Sequence, residues 1–224
     1  MNVIEFMQEH PAYFEDYITR STYHSNAIEG STLSYAETYA ILWNDNTIEV
    51  KATARELYEA INLKYALSDA IENIDQELSE ALIKRIATDI NKNINELHDY
   101  RKIPVMIHGA EHLPPEPNQI NQLMMQLAHE YNCDDIDNAF MREARFHIRF
   151  ERIHPFEDGN GRTGRILISR GLIKAGLAPV VIPVERRAEY MDYLAQSDAD
   201  GLASMLEELS ASEQERMDYF AGVE

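Results

Sequence analysis

The run His154-Pro155-Phe156-Glu157-Asp158-Gly159-Asn160-Gly161-Arg162-Thr163-Gly164-Arg165 gathers a general base, a carboxylate, a glycine-lined turn and two arginines. Those are the parts that phosphate-ester chemistry needs. His154 is the side chain here whose unperturbed pKa suits proton abstraction near neutrality, so an incoming hydroxyl could lose its proton to it while attacking phosphorus. Asp158 could hold Mg²⁺, an ion that takes one or two carboxylates plus phosphate oxygens. Glycines on both sides of Asn160 let the backbone turn tightly and approach a ligand. Apolar positions 166, 167, 172 and 173, with 168 beside them, then predict a mostly buried helix. The turn therefore opens onto a helix N-terminus, whose free N–H groups and partial positive charge suit a phosphate. Arg162 and Arg165, three apart, project from one face and can grip adjacent phosphates. Phe156 reads as the apolar anchor of the loop. The plainer alternative is a polar turn between two helices, with its arginines in surface ion pairs and a structural histidine.

A second group lies near the start. In Ser25-Asn26-Ala27-Ile28-Glu29-Gly30 a carboxylate meets a glycine suited to the residue after a helix end. Taken alone, this is a helix stop.

The elements that must position these groups read as mainly helical. Residues 11–29 predict one or two helices ending at Gly30, and Ser34 with Glu37 resembles a capping box opening the next. Leu57, Ala60, Ile61, Leu63, Leu67 and Ile71 form a helical stripe over residues 51–73. Ser79 caps a further helix whose apolar face runs from Leu82 through Ile94 to Leu97. Residues 101–117 break the pattern. Their β-branched residues, His108-Gly109 turn and prolines predict a short β-hairpin. His108 and His112 tempt as metal ligands but lack a partnering set, and read as hairpin residues. Helices follow from Asn118 to about Tyr131, over about 137–151, over 185–196 and over 202–209, with a last helix or frayed tail over 213–220.

Composition narrows the function. The chain has 224 residues, a formal net charge of −19 and 45% hydrophobic residues, enough for one domain with a sizeable core. Such an acidic balance argues against nucleic-acid and anionic-membrane partners. The single Cys133 forms no internal disulfide, consistent with a cytoplasmic setting, although delivery as an injected effector needs no leader. No apolar stretch reaches 18 residues.

The run from His154 to Arg165 resembles the signature of the Fic family (Fido fold), H-x-F-x-[D/E]-G-N-G-R-x-x-R, and every fixed position matches. The likeness continues over residues 146–153 upstream, and over 175–183 and Tyr190 downstream, and covers about 80–210. It implies an all-α, mainly helical Fic/Fido fold with a short β-hairpin flap. It also implies an N-terminal helical region over 1–50 that carries an inhibitory motif, and a catalytic domain over 51–224. The activity implied is transfer of AMP from ATP to a Ser, Thr or Tyr hydroxyl of a target protein or of the enzyme itself. On this likeness His154 is the base and Asp158 the Mg²⁺ ligand. Gly159, Asn160 and Gly161, with the helix start through Thr163 and Gly164, form the anion hole. Arg162 contacts the phosphates and Arg165 orients the γ-phosphate, while Ile107 and Tyr190 line the base. Relatives that phosphorylate depart at the second arginine, so Arg165 favours adenylylation.

Ser25 to Gly30 matches the family's inhibitory pattern [S/T]-x-x-x-E-[G/N]. The resemblance implies that Glu29 pairs with Arg165 and denies it to the γ-phosphate; in some relatives the same Glu assists removal of AMP. The flap around 103–113 is expected to receive the target by strand addition. Many relatives place Asn beyond the Tyr on the base side of the nucleotide, where spacing offers Asp198 here. Homo-oligomerisation and self-modification, with Ser31 and Thr32 as acceptors, are further expectations. Transfer of UMP, phosphate or phosphocholine stays open, as does a non-enzymatic nucleotide-binding helical module.

Overall fold

The computed structural model describes residues 2–97, 99–107, 112–133 and 136–223. Among these the regular secondary structure is all helical. Its α-helices are α1 (Val3–Glu9), α2 (Pro11–Ile28), α3 (Tyr35–Trp43), α4 (Ala54–Glu72), α5 (Glu80–Asn91), α6 (Ile120–Cys133), α7 (Ala139–Ile153), α8 (Asn160–Lys174), α9 (Arg187–Gln196) and α10 (Ala199–Val223). Local chemistry sets many of the starts. Asn2, Ser34 and Thr53 each accept from the backbone N–H three residues on, while a glutamate there reaches back to the cap. Ser79 and Asn138 cap α5 and α7 in the simpler way.

The site rests on the pair α7 and α8, joined by the 154–159 loop. They pack closely because α8 presents glycines to α7. A Cβ on Gly164 would lie 2.5 Å from the His147 ring, and one on Gly171 would lie 2.2 Å from the Glu143 carboxylate. Around this pair α10 backs α7, α4 lies against α5 and α8, and α2 crosses α4 and α8. One apolar cluster runs from Val3 to Met217, so residues 1–50 share the core of the rest.

The helix ahead of Glu29 is built in rather than laid on. Tyr13, Tyr17 and Ile18 of α2 have no exposed surface. Tyr13 donates to Glu213 of α10 at 2.8 Å, Arg20 grips the same carboxylate at 2.7 and 2.8 Å, and Arg216 holds Asp16 at 2.6 and 2.7 Å. At the other end Arg187 donates to the Ile28 carbonyl at 2.8 Å.

Three expectations are corrected. The β-hairpin is not formed among the described residues: 103–107 and 112–116 are irregular, and 108–111, with His108, lie outside the described part. Prolines at 104, 114, 115 and 117 remove ladder donors, and a lone two-stranded ribbon has no third strand to support it. The Ser79 helix stops at Asn91, leaving Ile94 and Leu97 beyond it, because the chain turns left-handed at Asn93 (φ 62°). The segments at 202–209 and 213–220 are one continuous helix, α10, whose Met205, Leu206 and Met217 are buried along a single face. No described helix is long and apolar enough to cross a membrane.

Candidate active site

The loop after α7 is shaped by its own polar groups. His154 ends α7 in a left-handed conformation (φ 48°) and Gly159 starts α8 in another (φ 78°). Between them Asn160 closes the turn: its Oδ1 accepts from the Phe156 N–H and its Nδ2 donates to the Phe156 carbonyl, both at 2.9 Å. Phe156 is 1% exposed and packs against Tyr100 and Phe150. Asn91 steadies the far side by donating to the Asp158 carbonyl at 3.2 Å. A Cβ on Gly159 would sit 2.6 Å from that Asn91 amide. Gly159→Ala is therefore expected to cost about 1–2 kcal/mol from backbone handedness, plus displacement of a buried amide. Urea unfolding would show it as a lower midpoint at unchanged slope.

His154 faces Glu151 one turn earlier, with Nδ1 3.9 Å from the Glu151 carboxylate. The two approach without bonding: His154 Nδ1 and Glu151 Oε1 are both buried without a hydrogen-bond partner. Burial pushes the His154 imidazole below its ordinary value, so the ring is a neutral base near pH 7. Burial, with the Glu29 charge adding to it, pushes the Glu151 carboxyl up to about 8. Glu143, buried beneath α8, is pushed up to about 7 by burial.

Those two acids set a pH dependence of stability. Both hold protons in the folded protein that they lose near pH 4.5 when unfolded. The folded state therefore binds more protons, and stability falls as pH rises toward 8. The buried bases act oppositely but lower down, since burial pushes His147 to about 3 and their unfolded value is 6.5. Thermal unfolding should therefore show a lower midpoint at pH 8 than at pH 6.5, with a shallower fall for Glu151→Gln. An equal fall in that variant would contradict the assignment.

The first turn of α8 offers the backbone N–H groups of Asn160, Gly161 and Arg162, which have no intrahelical acceptor. Over that turn sits the Glu29 carboxylate, whose Oε1 lies 2.3 Å from where a Gly161 Cβ would be. Arg165, 8% exposed, donates from Nη2 to Glu29 Oε1 at 2.7 Å and to the Ser25 carbonyl at 3.0 Å, and from Nε to Ser25 Oγ at 2.9 Å. Burial alone would raise the Glu29 carboxyl, but Arg165 and Arg162 outweigh it and hold the group below its usual range. The Glu29 side chain remains 38% exposed. It is thus a screened ion pair on the open side of a buried arginine. Gly30 has open space where a Cβ would go, but its φ of 99° suits glycine alone.

Asp158 is engaged on both oxygens. Oδ1 accepts from the Gly159 N–H at 2.6 Å and from Arg162 at 3.0 Å, and Oδ2 from Arg55 of α4 at 2.5 Å. Glu59 joins Arg55 (2.9 Å) and Arg162 (3.2 Å), completing a ring of alternating charge. Arg162 is buried within that ring, whereas the Arg55 side chain is 56% exposed and free to swing away. No group of three or more His, Cys, Asp or Glu among the described residues could cage a metal. One carboxylate that can be uncovered suits a magnesium ion carried in by a triphosphate, since that ion keeps phosphate and water oxygens in its shell.

The structure thus assembles His154, Asp158, Gly159, Asn160, Gly161, Arg162, Arg165, Glu29, Ser25 and Gly30 in one place. Other expected residues lie differently. Thr163 is fully buried, and Gly164 faces His147 and Glu151, so it serves the α7–α8 contact. Tyr190 is 1% exposed, its hydroxyl 2.6 Å from His147 Nε2, and it lies under Arg165 with no free face for a base. Asp198 caps α10 by accepting from the Gly201 N–H at 2.9 Å. Ile107 is half-buried in the irregular segment. Thr32 is exposed and donates to Glu56 at 2.7 Å. Residues 101–117 brought one surprise: Arg101, 3% exposed, donates to the carbonyls of His154 (2.8 Å), Ile103 (2.9 Å) and Pro115 (2.6 Å), clamping the loop from below. Sequence reading missed Arg55, Glu59, Asn91, Arg101 and Glu151. Of these only Glu151 had a signal, its i, i+3 spacing to His154 on one helix face.

Residues 77–172 match the model of the Fic/DOC family. The protein adenylyltransferase Fic of Drosophila erecta is 31% identical over 198 residues, covering 82% of this chain and 37% of that protein. The protein of the same name from Drosophila grimshawi is 30% identical, covering 82% and 38%. This chain therefore spans a little over a third of the length of the curated relatives it matches. Among solved structures, a Fic-domain-containing signaling protein from Bacteroides thetaiotaomicron aligns with a TM-score of 0.79 at 22% identity over 96% of this chain and 89% of that one. Fic-1 (134–508) from C. elegans aligns with a TM-score of 0.77 at 25% identity over 96% and 64%.

Proposed function

The chain belongs to the Fic/DOC family, and from that premise we propose that it is a protein adenylyltransferase held silent by Glu29. The observation that carries the reading is the convergence of a neutral His154, the open first turn of α8 and the arginines 162 and 165, with a carboxylate already seated where an anion belongs. The relatives named protein adenylyltransferase Fic support it.

In the proposed reaction the target hydroxyl oxygen attacks the α-phosphorus of ATP. Its proton passes to the His154 nitrogen that faces away from Glu151. The bond from the α-phosphorus to the bridging oxygen breaks, and pyrophosphate leaves. The N–H groups of Gly161 and Arg162 and the Arg162 guanidinium hold the phosphate oxygens as charge builds. Arg165 aligns the γ-phosphate once Glu29 turns away. Asp158 would hold magnesium, which neutralises phosphate charge when bound; Arg55 must release the carboxylate first. Glu29 blocks the reaction by occupying both the arginine and the helix-end seat.

Incubation with Mg²⁺ and ATP labelled on the α- or the γ-phosphate tests this. α-Label should enter protein, most strongly in Glu29→Gly. γ-Label alone would mean phosphoryl transfer and refute the role given to Arg165.

A further inference from the structure

Away from the nucleotide seat, one face of α7 carries Arg142, Arg145, Arg149 and Arg152. The spacing of three, seven and ten residues puts all four within one stripe, about 15 Å long at the helical rise. They line a groove of about 500 Å³ bounded by α6, α7 and the turn between α9 and α10. In a chain with 39 acidic and 20 basic residues, such a stripe runs against the overall balance.

Its arginines are only partly neutralised. Arg149 pairs with Glu130 across the groove, both half-exposed, and Arg142 reaches the buried Glu143 at 3.2 Å. Among the described residues Arg145 is exposed and has no ion-pair partner. Arg152 spends one nitrogen on His112 Nδ1 at 3.1 Å, while His112 Nε2 donates to the Arg152 carbonyl at 2.9 Å. That contact joins the groove to the 112–116 segment, and His154 follows Arg152 by two residues. The groove therefore starts at the 112–116 segment, on the face of α7 turned away from the Glu143, His147 and Glu151 side that meets α8 and the catalytic loop. Half-buried Tyr131 contributes apolar surface beside the arginines, over the buried Phe146.

We propose that this groove docks an acidic segment of the target protein, so that the preferred substrates carry a run of Asp or Glu residues apart from the modified hydroxyl. The proposal rests on the transfer activity above and names the class of protein that the site selects. Forked arginines bind carboxylates well, and charge complementarity raises both capture rate and selectivity. Nucleic acid fits less well, because the surrounding surface repels a long polyanion and the apolar patches between the arginines suit side chains.

The test needs no turnover. A fluorescein-labelled peptide alternating Glu with Leu around a central Thr, and its Lys counterpart, are titrated with the full chain, and anisotropy is read at 50 and 200 mM salt. The acidic peptide should bind, weaken with salt, and lose about tenfold in affinity in Arg145→Glu; the Lys peptide should not bind. Arg145→Ala, which removes no described contact, should lose a smaller factor and keeps the test clear of misfolding. Equal binding of both peptides, no binding of the acidic one, or affinity indifferent to Arg145 would overturn the proposal. So would single-stranded RNA displacing the peptide through the same arginine at lower concentration. Self-labelling of Glu29→Gly with α-labelled ATP is measured alongside and should persist in the Arg145 variants. Its absence with the groove intact would count against the transfer activity and not against the groove.

Discussion

Glu29→Gly is expected to raise incorporation of α-labelled AMP by on the order of 10²-fold over the wild type, the scale on which misplacing a reacting group by about 1 Å acts. The size follows from what Glu29 holds. Its carboxylate accepts from Arg165 and lies over the first turn of α8, so both features proposed to bind phosphate are covered together. Removing it leaves Arg165 in place, because Ser25 still accepts from it through Oγ and the backbone carbonyl. Glycine at 29 therefore frees the guanidinium without loosening it. Unfolding temperature should change little, since the lost ion pair is partly exposed and screened. Initial rates with labelled ATP, beside a melting curve, check both parts. An unchanged rate would sink the inhibitory role. A higher rate together with a large loss of stability would mean that α2 had come away instead.

In the Glu29→Gly background, His154→Ala should lower the rate by about 10²–10⁴-fold, the usual contribution of a positioned general base. Little else should change, because the loop is held by groups other than the imidazole: Arg101 binds the residue-154 carbonyl, and Asn160 closes the turn onto Phe156. The same base sets the acid limb of the pH profile. Burial lowers the His154 pKa, so the active neutral form persists below the ordinary 6.5. The rate should hold from neutrality down past that value and then fall as the ring gains a proton. Glu151→Gln tests the neighbour from the other side. A carboxyl that ionises near 8 favours protonated His154 only above that pH, where the ring is already neutral. The acid limb should therefore stay where it is. Movement by a full unit would show that Glu151 is ionised at neutral pH and bears directly on the base.

Much of the site was legible because its residues are neighbours in the chain. A histidine, an acid, three glycines and two arginines within twelve positions leave the backbone few ways to arrange them, and the left-handed Gly159 and the α8 start follow from that order. The Glu29–Arg165 pair spans 136 positions and became legible through the family pattern. Partners met only on folding left no trace. Arg55 and Glu59 sit on the polar side of an ordinary amphipathic helix, and nothing local marks them as reaching Asp158 and Arg162. Arg101 lies in a stretch whose β-branched residues point to strand, while its actual work is to gather the carbonyls of His154, Ile103 and Pro115. Tyr190 was read as a surface for a base because an aromatic ring serves either a ligand or a core, and only packing beneath Arg165 decides between them.

The burial of α2 has a consequence for control. An inhibitor that is a separate molecule can be diluted, degraded or outcompeted, and its hold depends on how much of it is present. Here Tyr13, Tyr17 and Ile18 lie in the core and two arginine clasps tie the helix to α10, so blocker and site are always in equal number and at a fixed high local concentration. On the proposed reading the brake stays with the site for as long as the fold is intact. If Glu29 is that brake, a signal that releases it has a small target, the turn from Ser25 to Gly30 and one carboxylate that is 38% exposed.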